Sequence, residues 1–585
     1  MTTRRTFIMT LAAMPPLLKF GCSWAANDPS QLALIIGNSS YRDAPLVNPA
    51  NDAKAVSGLF TEAGFTVDLR LNANRVDMVA AIERFGAAVK RSETKLVVFY
   101  YAGHGAQLDW RNYLLPVDAV VEKPEDMKQR CVDLGLLLGQ FGAAKDKTFV
   151  VILDACRNNP FGRSYRPEQK GLSQFDAPVG SLLAYATSPG NVASDGEGAN
   201  GLYTENLVRE LSKRNTRIED ALKRVRLSVR LASHGAQVPW ETTSLEGDVF
   251  IFNEGRKTLT EAEQEKLLEA DFGEWGRIKS SKKIDDWVTY LRTFPNGRFA
   301  EIAQMRLTRL LAEDEKLTAD KRQREEQQRL EQQRIELEPN PTPSPLAKPA
   351  AEAAPASAAP MIDIKPGVAV PTFIAPSANP YSAGRYPLSR IFTVGDSATF
   401  RISDILTGVE ERTSTLRVTR VSYDEDLVEF NQGYVIVDLM GNLIKAGPFV
   451  FEAPRQWSPM EFQVGKKWTA AYRLTNNGVF SAGYYGMRIV KREPVSVPAG
   501  RFDAFRIEGN GWDTTFGNRL EVKLWMVPGL NFTIKAERME RDKGARLYVT
   551  ERTELVALRQ QTIDTKCTTP TGGLHRTLII KSNCG

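Results

Sequence analysis

Apolar positions along this chain of 585 residues follow one rhythm in its first half and another in its second. Early on, short unbroken aliphatic and aromatic runs stand at residues 96–101 (Leu-Val-Val-Phe-Tyr-Tyr) and 149–153, and mainly apolar stretches at 181–187 and 247–252. Apolar runs of about four to eight residues mark strands buried on both faces, as in a parallel sheet with helices on either side. Over residues 261–311 the spacing becomes helical. Trp275, Ile278, Trp287, Tyr290, Leu291 and Phe294 precede Pro295-Asn296-Gly297, and Phe299, Ala303 and Leu307 follow it. This predicts a helical hairpin across 254–312. Residues 313–338 turn to Glu, Gln, Arg and Lys, with Leu317, Leu330, Ile335 and Leu337 too sparse for a coiled-coil seam, so a single charged helix is expected.

Eleven prolines alternating with Ala and Ser between Pro339 and Pro380 then predict an extended linker over 339–384. From 385 to 558 strand-like alternation returns, punctuated by Gly, Asn and Asp at short intervals, which predicts an antiparallel β domain. A Thr/Gly/Ser-rich tail, 559–585, closes the chain.

Candidate chemistry sits at the ends of two of the early runs. Tyr101-Ala102-Gly103-His104-Gly105 ends one, and Leu153-Asp154-Ala155-Cys156-Arg157-Asn158-Asn159-Pro160 ends another, 52 residues separating His104 from Cys156. Two strand ends on one sheet edge bring an imidazole and a thiol together despite that separation, as a cysteine nucleophile and its base require. A thiol needs a neighbouring histidine to take its proton, and that histidine can later protonate the leaving amine. Glycines flanking His104 allow the main chain close to a substrate. No third triad side chain is evident. Neither residue has a second Cys or His at zinc-ligand spacing, so no metal and no cofactor is expected.

Further motifs stand in order around these two: Leu32-Ala33-Leu34-Ile35-Ile36-Gly37-Asn38 with Tyr41, Asn51-Asp52-Ala53, Tyr113-Leu114-Leu115-Pro116-Val117-Asp118, Tyr185-Ala186-Thr187-Ser188-Pro189-Gly190 and Gln237-Val238-Pro239-Trp240. With them, residues 32–252 resemble the caspase–metacaspase clan of cysteine proteases, specifically bacterial caspase-like proteins. The resemblance implies an α/β caspase-like domain over 27–253, mostly parallel with helices on both faces. It implies a catalytic dyad of His104 and Cys156, and an oxyanion hole from the N–H groups of Gly105 and Cys156. Asp154 stands where aspartate-specific caspases carry Gln, and Asp52 matches a second metacaspase acid. Two carboxylates attract a guanidinium or ammonium and repel an aspartate, so cleavage after Arg or Lys is expected. Ala102 replaces the Ser common in metacaspases and Pro49 the Cys, which makes the pocket less polar than the family type. For Asp52 a helix-capping role near the start of 51–62 is the alternative. The loop at 160–179, with Arg163, Arg166 and Lys170, is the expected site of self-processing. Some metacaspases respond to calcium, but 193–198 lacks EF-hand ligand spacing.

The first 25 residues pair Arg4-Arg5 with a short apolar stretch and Ser23-Trp24-Ala25, a twin-arginine-like export signal with cleavage at a small-x-small site. Its length and Pro15-Pro16 argue against a stable transmembrane span. A periplasmic or secreted product is expected, in which Cys567 and Cys584 are suited to close a disulfide around the tail, and Cys131 is buried. Loss of the signal removes Arg4, Arg5 and Lys19 and no acid, so the formal charge falls from +6 to +3, and the remaining basic runs are matched by nearby acids. Nucleic acid is therefore not an expected partner. Peptide or protein substrates are, with the helical hairpin or β domain as candidate surfaces for an envelope partner. The competing class is a catalytically silent caspase-like scaffold.

Overall fold

In the computed structural model of the protein, which describes residues 28–142, 144, 146–155, 161, 171–188, 198–253, 261–337, 361–375 and 377–561, the early apolar runs become neighbouring strands. In chain order the first domain comprises β1 (Asp28–Gly37), α1 (Pro49–Glu62), β2 (Phe65–Leu71), α2 (Arg75–Val89) and β3 (Leu96–Ala102). A small antiparallel sheet of β4 (Gly105–Leu108), β5 (Arg111–Leu114) and β6 (Val132–Asp133) follows, with α3 (Pro124–Arg130) inserted before β6. Then come α4 (Leu134–Gly142), β7 (Thr148–Asp154), β8 (Ser181–Tyr185), α5 (Leu202–Leu211), α6 (Ile218–Ala232) and β9 (Trp240–Thr243).

The central sheet has the order β2-β1-β3-β7-β8-β9, parallel except for β9 at one edge. Its strands alternate side chains to two buried faces. Ile35, Val98, Tyr100 and Ile152 meet α1, α5 and α6 on one side. Leu34, Phe99, Val151 and Leu153 meet α2 and α4 on the other. Full burial of one such side chain stabilises the fold by about 1.5–3 kcal/mol. α1 leads from β1 to β2 and α2 from β2 to β3, so helices leave the β1 neighbourhood on opposite faces. The strands' C-terminal ends are where open α/β sheets carry their sites.

Two expectations change. The apolar stretch 247–252 forms no strand; it contributes an isolated bridge, Arg217 to Phe250, and packs Ile251 and Phe252 under α6. The last strand is β9, whose Trp-Glu-Thr-Thr sequence is buried on one face only and so lacks the continuous apolar signature. Cys131 is buried at the end of α3, and desolvation pushes its thiol up to about 12, which leaves it inert at neutral pH.

Among the described residues three helices follow: α7 (Glu261–Ile278), α8 (Ile284–Thr293) and α9 (Ala300–Leu337). The Pro-Asn-Gly turn separates α8 from α9. α9 continues through what the sequence divides into a hairpin arm and a charged helix, because no Gly or Pro interrupts residues 300–337. Their apolar stripe is already covered. Trp275, Ile278, Trp287, Phe299 and Leu307 share one cluster with Phe462, Trp468, Tyr485 and Phe505 of the β domain, and with Leu227 of α6. The β domain is a barrel of twelve antiparallel strands from Ser397–Asp404 to Leu547–Gln561, closed because the last pairs with both the first and Lys535–Arg541. Closure removes the unpaired edges that an open sheet exposes. The linker expected to reach 384 ends earlier: Met361–Ile364 adds a short strand to Leu547–Gln561. Residues 377–385 lie against the first domain, with the Asp176 N–H donating to Tyr381 O at 3.0 Å and Ala383 N–H to Asp176 at 3.0 Å. Residues 339–360 of the expected linker lie outside the described residues, as do the expected export signal and the Cys567 and Cys584 positions.

Candidate active site

The two chemistry-bearing motifs lie side by side. β3 and β7 pair in parallel with Ala102 opposite Asp154, and the Gly103 N–H donates to the Asp154 carbonyl at 3.3 Å just beyond the paired strands. Gly105 then passes so close to Ala155 that a Cβ on Gly105 would stand 3.1 Å from the Ala155 methyl and 2.9 Å from Leu172. Gly103 has φ +151, where only glycine is unstrained, and a Cβ there would lie 2.6 Å from the Tyr41 hydroxyl. The chain therefore brings His104 and Ala155, the residue before Cys156, to one edge. Cys156 itself lies outside the described residues.

His104 is buried and fixed from three directions. Its backbone N–H donates to the Tyr41 hydroxyl at 3.0 Å, and its ring lies 4.5 Å from the Tyr41 ring. Its carbonyl accepts from Leu115 N–H at 3.0 Å and lies 2.7 Å from the Tyr101 hydroxyl. The ring Nε2 is 2.7 Å from the carbonyl oxygen of Ala44. A carbonyl only accepts, so Nε2 carries the proton and, in the neutral ring, Nδ1 is the basic nitrogen. The group that orients the base is thus a main-chain carbonyl on the loop after β1. Sequence motifs point to side chains, so nothing marked Ala44. Tyr41 was flagged, and its role is to hold His104.

The two acids meet at the start of α5. Asp52 is fully buried and does not cap α1, which begins at Pro49. Its Oδ1 accepts from Asn200 Nδ2 at 3.0 Å and from the Gly201 N–H at 2.9 Å, so it holds the N-terminus of another helix. Asp154, 1% exposed, accepts from the Thr204 hydroxyl at 2.8 Å, and Thr204 lies 2.6 Å from the Tyr100 hydroxyl. Burial first, then the fields of Asp154 and Asp52, hold the Tyr100 phenol well above its ordinary range. Ala102 is buried as well, and its carbonyl accepts from the Asn38 N–H at 2.9 Å.

The later motifs close the same edge. Gln237 Nε2 donates to Ala186 O at 2.9 Å and the Ser188 hydroxyl to Val238 O at 3.1 Å, so 237–240 supports the segment after β8. Trp240 packs on Tyr185 and donates from Nε1 to Gln463 of the barrel at 3.1 Å. On the other side, Ser173 and Asn112 exchange hydrogen bonds of 2.6 and 2.9 Å, and Asn379 donates to the Ser173 hydroxyl at 3.1 Å.

Residues 30–250 match the family described as the caspase domain. That region is a caspase-like domain. Curated relatives include caspase-1 of Sus scrofa, 24% identical over 244 residues (38% of this chain, 59% of that protein). Another is the mucosa-associated lymphoid tissue lymphoma translocation protein 1 of Homo sapiens, 26% identical over 186 residues (31% of this chain). The chain thus spans 59% and 22% of the lengths of these two relatives. Among solved structures, caspase-1 from Spodoptera frugiperda aligns at 17% identity over 40% of this chain and 94% of its own, with a TM-score of 0.30. The Drosophila initiator caspase Dronc aligns at 17% over 39% and 85%, with a TM-score of 0.29.

Proposed function

We propose that the protein is a cysteine endopeptidase that cuts peptide bonds after Arg or Lys. His104 Nδ1 takes the Cys156 proton, and the thiolate attacks the scissile carbonyl. The N–H groups of Gly105 and Cys156 receive the oxyanion. The C–N bond breaks as His104 returns its proton to the leaving amine. Water, deprotonated by His104, then hydrolyses the thioester and frees the thiol. The observation that carries this reading is the β3–β7 register, which sets the loop of a fixed, correctly tautomeric histidine beside the residue preceding the cysteine. Asp52 and Asp154, gathered at the start of α5, support a cation-seeking pocket. The reaction needs no cofactor; calcium activation is a separate question for titration.

The polar loop ahead of β8 is the proposed site of self-cleavage; its basic residues 163, 166 and 170 lie outside the described residues. Periplasmic or secreted location rests on the N-terminal signal pattern, and a Cys567–Cys584 bridge on the oxidising compartment that location implies. Among the described residues no helix is long and apolar enough to cross a membrane. The second reading, a silent scaffold in the cell envelope, is favoured by the exposed, charged latter half of α9, a surface suited to a partner. One comparison separates the two: wild type against Cys156→Ala on fluorogenic peptides ending in Arg, Lys or Asp. Turnover of the basic peptides by wild type alone is expected. Equal rates for the two proteins defeat the enzyme, and cleavage after Asp alone defeats the basic pocket.

A further inference from the structure

Where α6, the start of α9 and the barrel meet, the three modules enclose a cavity of about 800 Å3. Small-molecule sites span roughly 300–1,000 Å3 and favour domain boundaries. The barrel side offers apolar walls, including Leu388, Phe392, Met440 and Met487. The charges on the walls are unequally matched. Glu241 holds Arg226 at 2.5 Å, Glu301 holds Lys466 at 2.7 Å, and Glu461 holds Arg385. Of the other acids on the wall, Asp248 pairs with Arg217, Glu508 with Arg506, Glu219 accepts from the Thr243 hydroxyl, and Glu246 is exposed at the rim.

Four further cations line the same space and donate to neutral oxygens: Lys223 to Asn296 Oδ1, Arg230 to the Thr308 hydroxyl at 3.2 Å, Lys467 to the Leu245 carbonyl, and Arg390 to the Met440 carbonyl at 2.6 Å. Lys223, Arg226 and Arg230 are three and seven residues apart on α6, so one helix face turns all of them inward. Burial lowers the Lys223 ammonium and the Arg230 guanidinium below their ordinary ranges. An anion between them would offset that cost.

We infer that this junction is a binding site for a small organic anion. Its phosphate or carboxylate head meets Lys223 and Arg230, and its apolar body lies along the barrel wall. Because α6 leads into β9, which pairs with β8 beside the catalytic edge, the ligand joins the barrel to the caspase-like domain at one point.

Calorimetric titration of the full chain with phenyl phosphate, inorganic phosphate and phenol tests this. Phenyl phosphate should bind most tightly, inorganic phosphate more weakly, and phenol not at all. The double variant Lys223→Gln/Arg230→Gln should weaken phenyl phosphate by about tenfold or more, the loss of charge-assisted hydrogen bonds. Hydrogen exchange on wild type provides a readout independent of the variant's folding: phenyl phosphate should protect residues 217–231 and 460–469. No binding by wild type, equal affinity in a folded double variant, or protection elsewhere only, overturns the site. Tighter binding of phenol than of phenyl phosphate overturns the anion class.

Discussion

The proposed catalytic edge and the three-module junction are both buried and polar, yet they are held together by different chemistry. Around His104 at the edge, neutral groups dominate: the Tyr41 and Tyr101 hydroxyls, the Leu115 N–H and the Ala44 carbonyl contact it. At the junction, ion pairs dominate: Arg226–Glu241, Lys466–Glu301 and Arg385–Glu461. Neutral hydrogen bonds orient an imidazole without committing its charge, which a base that alternates between two protonation states requires. Lys466–Glu301 ties the β domain to α9, while the other two pairs each lie within one module, and loss of one partner of a buried pair is expensive.

That contrast breaks most sharply at His104. His104→Ala should lower kcat/KM on basic peptides by about 10³-fold or more, near the upper range for a general acid–base, while the melting temperature stays close to wild type. A fall in both together would mean that the histidine is a structural element and would erase the distinction.

Glu461 tests the junction. Burial alone would raise its carboxyl, but Arg385, Lys466 and Arg226 together bring it from 4.5 down to about 2. A depressed folded value means that its contribution is complete above the unfolded value. It is lost as pH falls from about 4.5 towards 2. Glu461→Gln should cost about 3 kcal/mol at neutral pH, as for one partner of a buried pair. It should also flatten the acid limb of the stability curve, read by denaturant melts between pH 2 and 7. An unchanged acid limb would show that the pair adds nothing to stability.

Specificity comes next. Asp154→Asn keeps an oxygen for Thr204 and removes the charge, so kcat/KM for Arg and Lys peptides should drop by about 10- to 100-fold, the range of a charge-assisted hydrogen bond. A smaller drop would leave Asp52 as the main cation partner. The smallest effect links the two regions. Trp240→Phe deletes the hydrogen bond to Gln463 and should cost about 1 kcal/mol in a melt, with little change in turnover.

Much of this was legible in the sequence because continuous apolar runs have few alternatives to buried strands. The runs at 96–101 and 149–153 became β3 and β7 within a residue of their ends. Strand β9 was missed since only one of its faces is buried, and 247–252 was misread since an apolar stretch can pack as a loop. In the barrel, the strand-like stretch 486–490 is only part of a strand running Val479–Val497. Its Lys-Arg-Glu segment and a register shift after Ile489 hide the continuity. Asp52 was legible as a site residue and as a cap, but the helix it holds is α5, not its own.

The sequence by itself determined the α/β character of the first domain, the order of its motifs and the identity of the histidine and acids, because side-chain type and spacing encode those. Only the tertiary structure decided that a backbone carbonyl orients His104, that the predicted hairpin is three helices buried on the barrel, and that three modules enclose a cationic cavity. Main-chain carbonyls are the same at every residue, and contacts between segments more than 100 residues apart leave no local period to read.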